Sequence, residues 1–245
     1  MIPLARPPLD DELAEALERR TDTLVRVRAD VSRARKEWNA ARPERGRLRE
    51  ILAGMAPGIE RCMYCGDSLG TSIDHFEPLK EAPLRTFDWL NHLLACSMCN
   101  SNQKRDLFPR AADGTALLID PSRDDPYDHL RLVLNTGRYR ARDRRGEATI
   151  EVFGLNRGDL VMGRQHAVPR TEAMVMARRA ALDAGDHRRA ERLMNSLLHH
   201  PFIDVLYAMV RAAASPGAAK VMEPEVVPLL ADPVFQGMMP GSRRS

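Results

Sequence analysis

Apolar residues in the first quarter of the chain follow a helical period. They recur at spacings of four or seven residues: Leu9, Leu13, Leu17, Leu24, Val31 and Trp38. Pro7 and Pro8, followed by acidic residues, suit the first turn of a helix. An amphipathic helix is therefore predicted to run to about Ala41, where Pro43 ends it, before a short helix at 47–52. Its apolar stripe either packs against the rest of the chain or forms a coiled-coil seam, although clean heptads are absent.

The middle of the chain changes to short alternating stretches that are typical of strands. Strands are predicted at 116–119, 130–134 and 148–153. Turns are predicted at Thr136-Gly137 and at 144–146, where glycine follows polar residues. The stretch 130–153 is therefore expected to form a small antiparallel sheet.

After Arg157 the pattern becomes helical again, with Gly185 and Pro201 as punctuation. Helices are predicted at 170–183, 186–199 and 201–213. Together these patterns predict an α+β fold with four segments: a helical N-terminal region at 1–58, a cysteine-rich segment at 59–110, a small β segment at 111–157 and a helical C-terminal region at 158–245. A β-hairpin at 68–76 is expected inside the cysteine-rich segment.

Composition narrows the class of protein. Hydrophobic residues make up 44% of the 245 residues, enough for a real core, so wholesale disorder is excluded. The stretch 19–50 holds 11 basic and 5 acidic residues, and a second basic cluster follows at Arg138, Arg140, Arg142, Arg144 and Arg145. Each cluster is either a track for a nucleic acid or a solvated surface. No signal peptide and no long apolar run is seen, so a soluble cytoplasmic protein is expected.

The four cysteines form two pairs, Cys62-x2-Cys65 and Cys96-x2-Cys99. Each pair presents two thiolates on one side of a tight turn, and two such turns complete a tetrahedral zinc site. The alternatives are two disulfides or unpaired buried thiols. Disulfides are disfavoured because nothing in the sequence marks the chain as secreted. The spacing therefore predicts a structural zinc ion.

Polar residues around the cysteines indicate a second site. Asp74 places a hard oxygen ligand beside His75, which suits a hydrated Mg²⁺ ion and a general base acting on water. Asn91 lies between the cysteine pairs, Asn100 directly follows Cys99, and Lys104 comes four residues later. An isolated Asp-His pair would be a weak signal, but its position inside the cysteine frame strengthens it.

This combination of residues resembles the HNH endonuclease family, whose zinc-stabilised ββα-metal finger reads CxxC, DH, Asn, then CxxC followed by Asn or His. The resemblance implies that His75 activates water, while Asp74 and Asn100 hold one catalytic Mg²⁺ or Mn²⁺ ion. It implies that Asn91 ties the loop and orients His75. The basic residues Lys104 and Arg105 would contact phosphate.

The resemblance implies a nuclease that hydrolyses phosphodiester bonds, with DNA as the expected substrate. His92 after Asn91 departs from the family pattern, and Glu77 is a further carboxylate near the site. The flanking stretches at 118–121, 125–126 and 152–157 are similar to standalone bacterial HNH proteins. Some of those act in antiphage defence beside an ATPase, which implies an ATPase or other protein partner. The alternatives are a nuclease activated by such a partner and an inactive nucleic-acid-binding module.

Overall fold

The computed structural model of the protein describes residues 1–239. Its chain begins with three helices: α1 (Asp11–Arg26), α2 (Val31–Ala40) and α3 (Arg42–Met55). The single helix predicted to reach Ala41 is therefore wrong. It is interrupted where Arg28 adopts a positive φ of 46° and Asp30 caps α2 by accepting from the Arg33 amide. Pro43 lies in the first turn of α3, where its missing amide hydrogen costs nothing.

The cysteine-rich segment contains a two-stranded antiparallel sheet. Strand β1 (Ser72–His75) pairs with β2 (His92–Ala95), and the register places His75 opposite His92. The hairpin predicted at 68–76 is wrong, because the partner of β1 lies beyond a long loop with two short 3₁₀ turns. A π-helical turn, Met98–Lys104, follows β2 and carries Cys99 and Asn100.

A second antiparallel sheet is formed by β3 (Leu130–Val133) and β4 (Arg138–Ala141), directly after the short helix α4 (Pro126–His129). The strand predicted at 148–153 is wrong, because these residues belong to α5 (Arg144–Val152). Asp143 caps α5 by accepting from the Gly146 amide. The predicted strand at 116–119 contributes only an isolated bridge between Arg110 and Ala116.

The described part of the C-terminal region consists mainly of helices, of which the last ends at Gly237. Its helices are α6 (Gly158–Asp183), α7 (His187–His199), α8 (Ile203–Ala213), α9 (Val226–Ala231) and α10 (Pro233–Gly237). Helix α6 begins earlier than predicted and contains Pro169, because its packing against neighbouring helices outweighs the hydrogen bond that proline removes. The predicted region extends to 245, and 240–245 lie outside the described residues.

One hydrophobic cluster joins the buried cysteines, residues of both sheets and residues of the C-terminal helices. A second cluster lies under the N-terminal helices and includes Trp38 and Phe87. The chain therefore has an α+β fold with two small antiparallel sheets and many helices. Among the described residues, none of the helices combines the length and the apolar character that a bilayer crossing demands.

Candidate functional site

The four cysteines converge on one buried point. The Sγ atoms of Cys62, Cys65, Cys96 and Cys99 all lie within 4.8 Å of one another, and none of these thiols forms a disulfide. The Cys65 and Cys96 Sγ atoms are 3.9 Å apart. A tetrahedral zinc ion with Zn–S bonds of about 2.3 Å separates its sulfur ligands by roughly 3.8 Å. The cluster therefore fits a zinc ion, and its four thiols can hold one.

The four thiols differ in how readily they ionise, and a cation lies beside them. Hydrogen bonding with Cys62 lowers the pKa of Cys65 and of Cys96, whereas burial raises the pKa of Cys62 and hydrogen bonding with Cys62 raises that of Cys99. Arg157 Nη1 lies 3.9 Å from Cys99 Sγ. Burial alone lowers the pKa of Arg157, but attraction to Cys99, Cys65 and Asp159 together outweighs burial and raises it. A cation thus offsets the negative charge of the thiolates.

His75 is held in one tautomer by the backbone. Its Nε2 atom lies 3.0 Å from the Thr86 carbonyl oxygen, which only accepts hydrogen bonds, so Nε2 carries the proton. Nδ1 is then an acceptor, and it has no hydrogen-bond partner among residues 1–239. The Trp38 ring contacts His75 edge-on at 4.6 Å between centroids. Burial lowers the pKa of His75 to about 4, so the imidazole is neutral at pH 7.

Asn91 and His92 shape the loop that supplies the Thr86 carbonyl. The Asn91 side chain accepts from the Glu77 amide at 2.7 Å and donates to the carbonyls of Glu77 and Arg85, at 3.0 and 3.2 Å. His92 Nε2 donates to the same Thr86 oxygen at 2.9 Å. Asn91 is fully buried, so its place is behind the site, where it positions the loop.

Asp74 is occupied on both of its oxygens. Lys104 Nζ donates to Asp74 Oδ1 at 2.9 Å and to the His75 carbonyl at 2.6 Å, while Tyr64 donates to Asp74 Oδ2 at 2.5 Å. Lys104 is fully buried and Asp74 is 3% exposed. The ammonium predicted to contact phosphate is thus placed inside the protein, where it pairs with a carboxylate.

A cleft of about 140 Å³ brings most of the predicted site residues together. It is lined by Asp74, His75 and Asn100, and by the exposed Arg105 at the end of the π-helical turn. Arg35 of α2 also lines it. Neither arginine forms an ion pair with a described residue, so both guanidinium groups are available to an anion.

Asp74 and Asn100 line this cleft and carry oxygen atoms, the ligand type that a hydrated divalent cation takes. Asn100 donates through Nδ2 to Ser72 Oγ at 3.0 Å, which leaves its carbonyl oxygen as an acceptor. Each carboxylate oxygen offers about two lone pairs, so one on each Asp74 oxygen remains after the contacts with Lys104 and Tyr64. Mg²⁺ is commonly held by one or two protein oxygens and keeps several waters. The Glu77 carboxylate is paired with Arg85 and Arg110, away from this role.

Four residues of the site escape sequence reasoning. Arg35 and Trp38 come from an N-terminal helix, Tyr64 lies between two cysteines, and Thr86 contributes only a backbone carbonyl. The basic stretch 19–50 indicated that arginines of this region could contact a nucleic acid. No pattern in the sequence identified Arg35 among them. The chain matches no protein-family model, no curated protein and no solved structure. Its assignment therefore depends on the cysteine cluster and the cleft themselves.

Proposed function

We propose that this protein is a metal-dependent endonuclease of the HNH type, acting on phosphodiester bonds in DNA. The observation that carries the proposal is His75: a neutral imidazole, fixed through Nε2, that lines a cleft with Asp74 and Asn100. A general base needs an unprotonated nitrogen within reach of a water molecule, and Nδ1 meets the first requirement.

In the proposed reaction, His75 Nδ1 takes a proton from a water molecule while the water oxygen bonds to phosphorus. The bond between phosphorus and the leaving oxygen then breaks, and that oxygen takes up a proton. The Thr86 carbonyl stabilises the imidazolium through its hydrogen bond with Nε2. Arg35 and Arg105 supply donors for the non-bridging phosphate oxygens.

Two metals have different roles in this proposal. A divalent cation held by Asp74 and Asn100 would stabilise negative charge on the phosphate and on the leaving oxygen. The zinc ion on the four cysteines does no chemistry. It joins the loop before β1 to the π-helical turn after β2, because so small a segment buries too little apolar surface to fix these residues alone.

Lys104 has a positioning role in the same proposal. Its ammonium contacts both Asp74 Oδ1 and the His75 carbonyl, so it fixes the two residues that carry the chemistry. Lys104 is therefore not proposed to contact phosphate. In this proposal Arg105 and Arg35 make the phosphate contacts.

Plasmid cleavage tests the proposal directly. Purified zinc-loaded protein is incubated with supercoiled DNA in Mg²⁺, in Mn²⁺ and in EDTA, beside His75→Ala and His199→Ala. His199 is an exposed residue of α7 and serves as a matched control. We expect nicking or linearisation that needs metal, disappears in His75→Ala and persists in His199→Ala. Full cleavage by His75→Ala with unchanged zinc content would overturn the assignment of the general base.

The occupied state of Asp74 favours a second candidate, a nuclease that is latent until a partner engages it. Lys104 and Tyr64 each occupy one lone pair of an Asp74 oxygen, so a partner that shifts either residue would leave more of the carboxylate for a metal ion. The proposed partner is an ATPase of a defence system, as the resemblance implies. Cleavage that appears only after a co-purifying protein is added, and that still needs His75, would identify this form of the activity.

A further inference from the structure

The hairpin formed by β3 and β4 presents arginines on one face. Along β4, Arg138 and Arg140 are exposed while Tyr139 between them is buried. On β3, Arg131 is exposed and lies directly opposite Arg140 in the register. Cβ atoms of directly opposed residues are about 5 Å apart, and like charges in such pairs destabilise a sheet. This face therefore concentrates positive charge, and repulsion between its arginines lowers the stability of the isolated hairpin.

These arginines differ from many others in the chain because no described carboxylate pairs with them. Elsewhere, arginines on every part of the fold form ion pairs, including Arg20, Arg47, Arg85, Arg110, Arg179 and Arg211. Within the same basic cluster, Arg145 binds both oxygens of Asp124, at 3.0 and 2.5 Å. Arg145 therefore has an internal role, while the guanidinium groups of Arg131, Arg138 and Arg140 form no ion pair within residues 1–239.

A groove of about 700 Å³ continues the basic face toward α8. Arg131 and Arg142 line it on the hairpin side, and Arg211 lines it on the other, stacked on Tyr127 at 4.4 Å. Asp128 also lines the groove, and Arg211 is paired with Asp125. Within this groove, the arginines that form no ion pair with a described residue are therefore those on the hairpin side.

We propose that the outer face of the β3–β4 hairpin binds the phosphate backbone of duplex DNA. The inference rests on the proposed function and adds where the substrate is held outside the cleft. Residues two apart in a strand are about 6.8 Å apart, so Arg138 and Arg140 form a row. Along each DNA strand, successive phosphates are about 3.4 Å apart in the direction of the helix axis. They form a negatively charged row that can lie against the row of arginines. The planar guanidinium binds phosphate oxygens in pairs.

Binding is measured separately from cleavage to test this inference. The parent is full-length His75→Ala protein with zinc, and the probe is a fluorescein-labelled 30-base-pair duplex. Fluorescence anisotropy gives Kd over a series of KCl concentrations. The test variant adds R131Q, R138Q and R140Q. The matched control adds R188Q, R189Q and R192Q, which remove the same charge from exposed positions on α7.

The hairpin variant is expected to bind at least tenfold more weakly at low salt. A plot of the logarithm of its association constant against the logarithm of the KCl concentration has a negative slope. The magnitude of that slope should decrease by up to about 2.7 relative to the parent, since each phosphate contact contributes about 0.9. The α7 control should stay within about twofold of the parent. Equal losses in both triple variants, no loss in the hairpin variant, or binding only to single strands would each overturn the inference.

Failure of this inference is distinguishable from failure of the proposed function. If the wild-type protein cleaves DNA and the hairpin variant has an unchanged Kd, the inferred binding surface is wrong and the proposed nuclease function stands. If duplex binding depends on the hairpin but the wild-type protein never cleaves DNA, the binding surface stands and the proposed nuclease function is wrong. A melting temperature of the hairpin variant that is equal to or above that of the parent shows that a weaker Kd does not come from unfolding.

Discussion

The imidazole of His75 is neutral over a wide pH range because it is buried. Its pKa is lowered to about 4 by desolvation, whereas an unperturbed histidine titrates near pH 6.5. A general base acts in its unprotonated form, so its activity is lost as pH falls through the pKa. We expect the cleavage rate at pH 6.0 to be within about twofold of the rate at pH 7.5, against a roughly fourfold fall for an unperturbed histidine. Single-turnover rates at constant metal check this.

Trp38→Ala provides the comparison for that pH profile. The indole contacts the rings of both His75 and His92, at 4.6 and 5.1 Å between centroids. Its removal admits water, so the apparent pKa of the rate should rise toward 6.5. A wild-type profile that already falls with a midpoint near pH 6.5 would contradict the burial argument.

The ion pair of Lys104 and Asp74 is a second test at the scale of single residues. Both side chains are almost fully buried, so removing one partner leaves an uncompensated charge. Lys104→Met should lower the free energy of unfolding by about 3–5 kcal/mol. Adding Asp74→Asn in the same chain should recover part of that loss. Urea unfolding with saturating zinc measures both, and a loss below about 1 kcal/mol would argue against a buried pair.

At the scale of elements, the zinc cluster links pieces of chain that have little secondary structure of their own. Cys62 and Cys65 lie in a loop, while Cys96 and Cys99 flank the start of the π-helical turn. Cys96→Ser should lower the zinc content below one ion per chain and lower the melting temperature, because metal binding supplies folding free energy. The neighbouring exposed Ser97→Ala should retain zinc. Metal analysis after gel filtration distinguishes them.

Local sequence predicted helices and strands correctly where apolar residues recur at regular spacing because one face of the element is buried. The C-terminal helices and the strand at Leu130 follow from periodicity. The stretch at 148–153 did not, because a short apolar run fits a strand or a buried helix equally well. The cap from Asp143 decides for the helix. In the cysteine-rich segment, β1 finds its partner across a long loop, a pairing that no local pattern encodes.

At the scale of the whole molecule, a buried polar network ties β4 to the C-terminal helices. Arg164 is fully buried and donates to Asp204 Oδ2 at 3.1 Å and to the Leu155 carbonyl at 2.7 Å, and Tyr139 donates to the same carboxylate at 2.7 Å. Asp204 also pairs with the buried N-terminal ammonium at 3.3 Å. Arg164→Met should still cost up to about 3–5 kcal/mol of unfolding free energy, because it removes one of the two buried cations that offset the Asp204 charge.

Zinc release and helix loss should shift together in Arg164→Met, since one hydrophobic cluster contains both the cysteines and the C-terminal helices. Circular dichroism and a zinc-sensitive dye, followed in one thermal scan, measure the two signals. The exposed pair of Arg179 and Asp183 offers the control, and Arg179→Met should change stability by less than about 1 kcal/mol. Separate transitions in the variant would mean that the segments unfold independently.

The sequence by itself determined which residues are candidates for a metal centre and for chemistry. The cysteine spacing predicted the four-thiol cluster, which the structure shows, and residue type and order selected Asp74, His75 and Asn100 as candidates. Tertiary structure decided their state. It buried Lys104 against Asp74, oriented His75 through the Thr86 carbonyl, and added Arg35 to the cleft. The His75–Thr86 and Asp74–Lys104 hydrogen bonds join residues 11 and 30 positions apart, and Arg35 precedes Asp74 by 39 positions. Such proximity in space depends on packing, which no local pattern specifies.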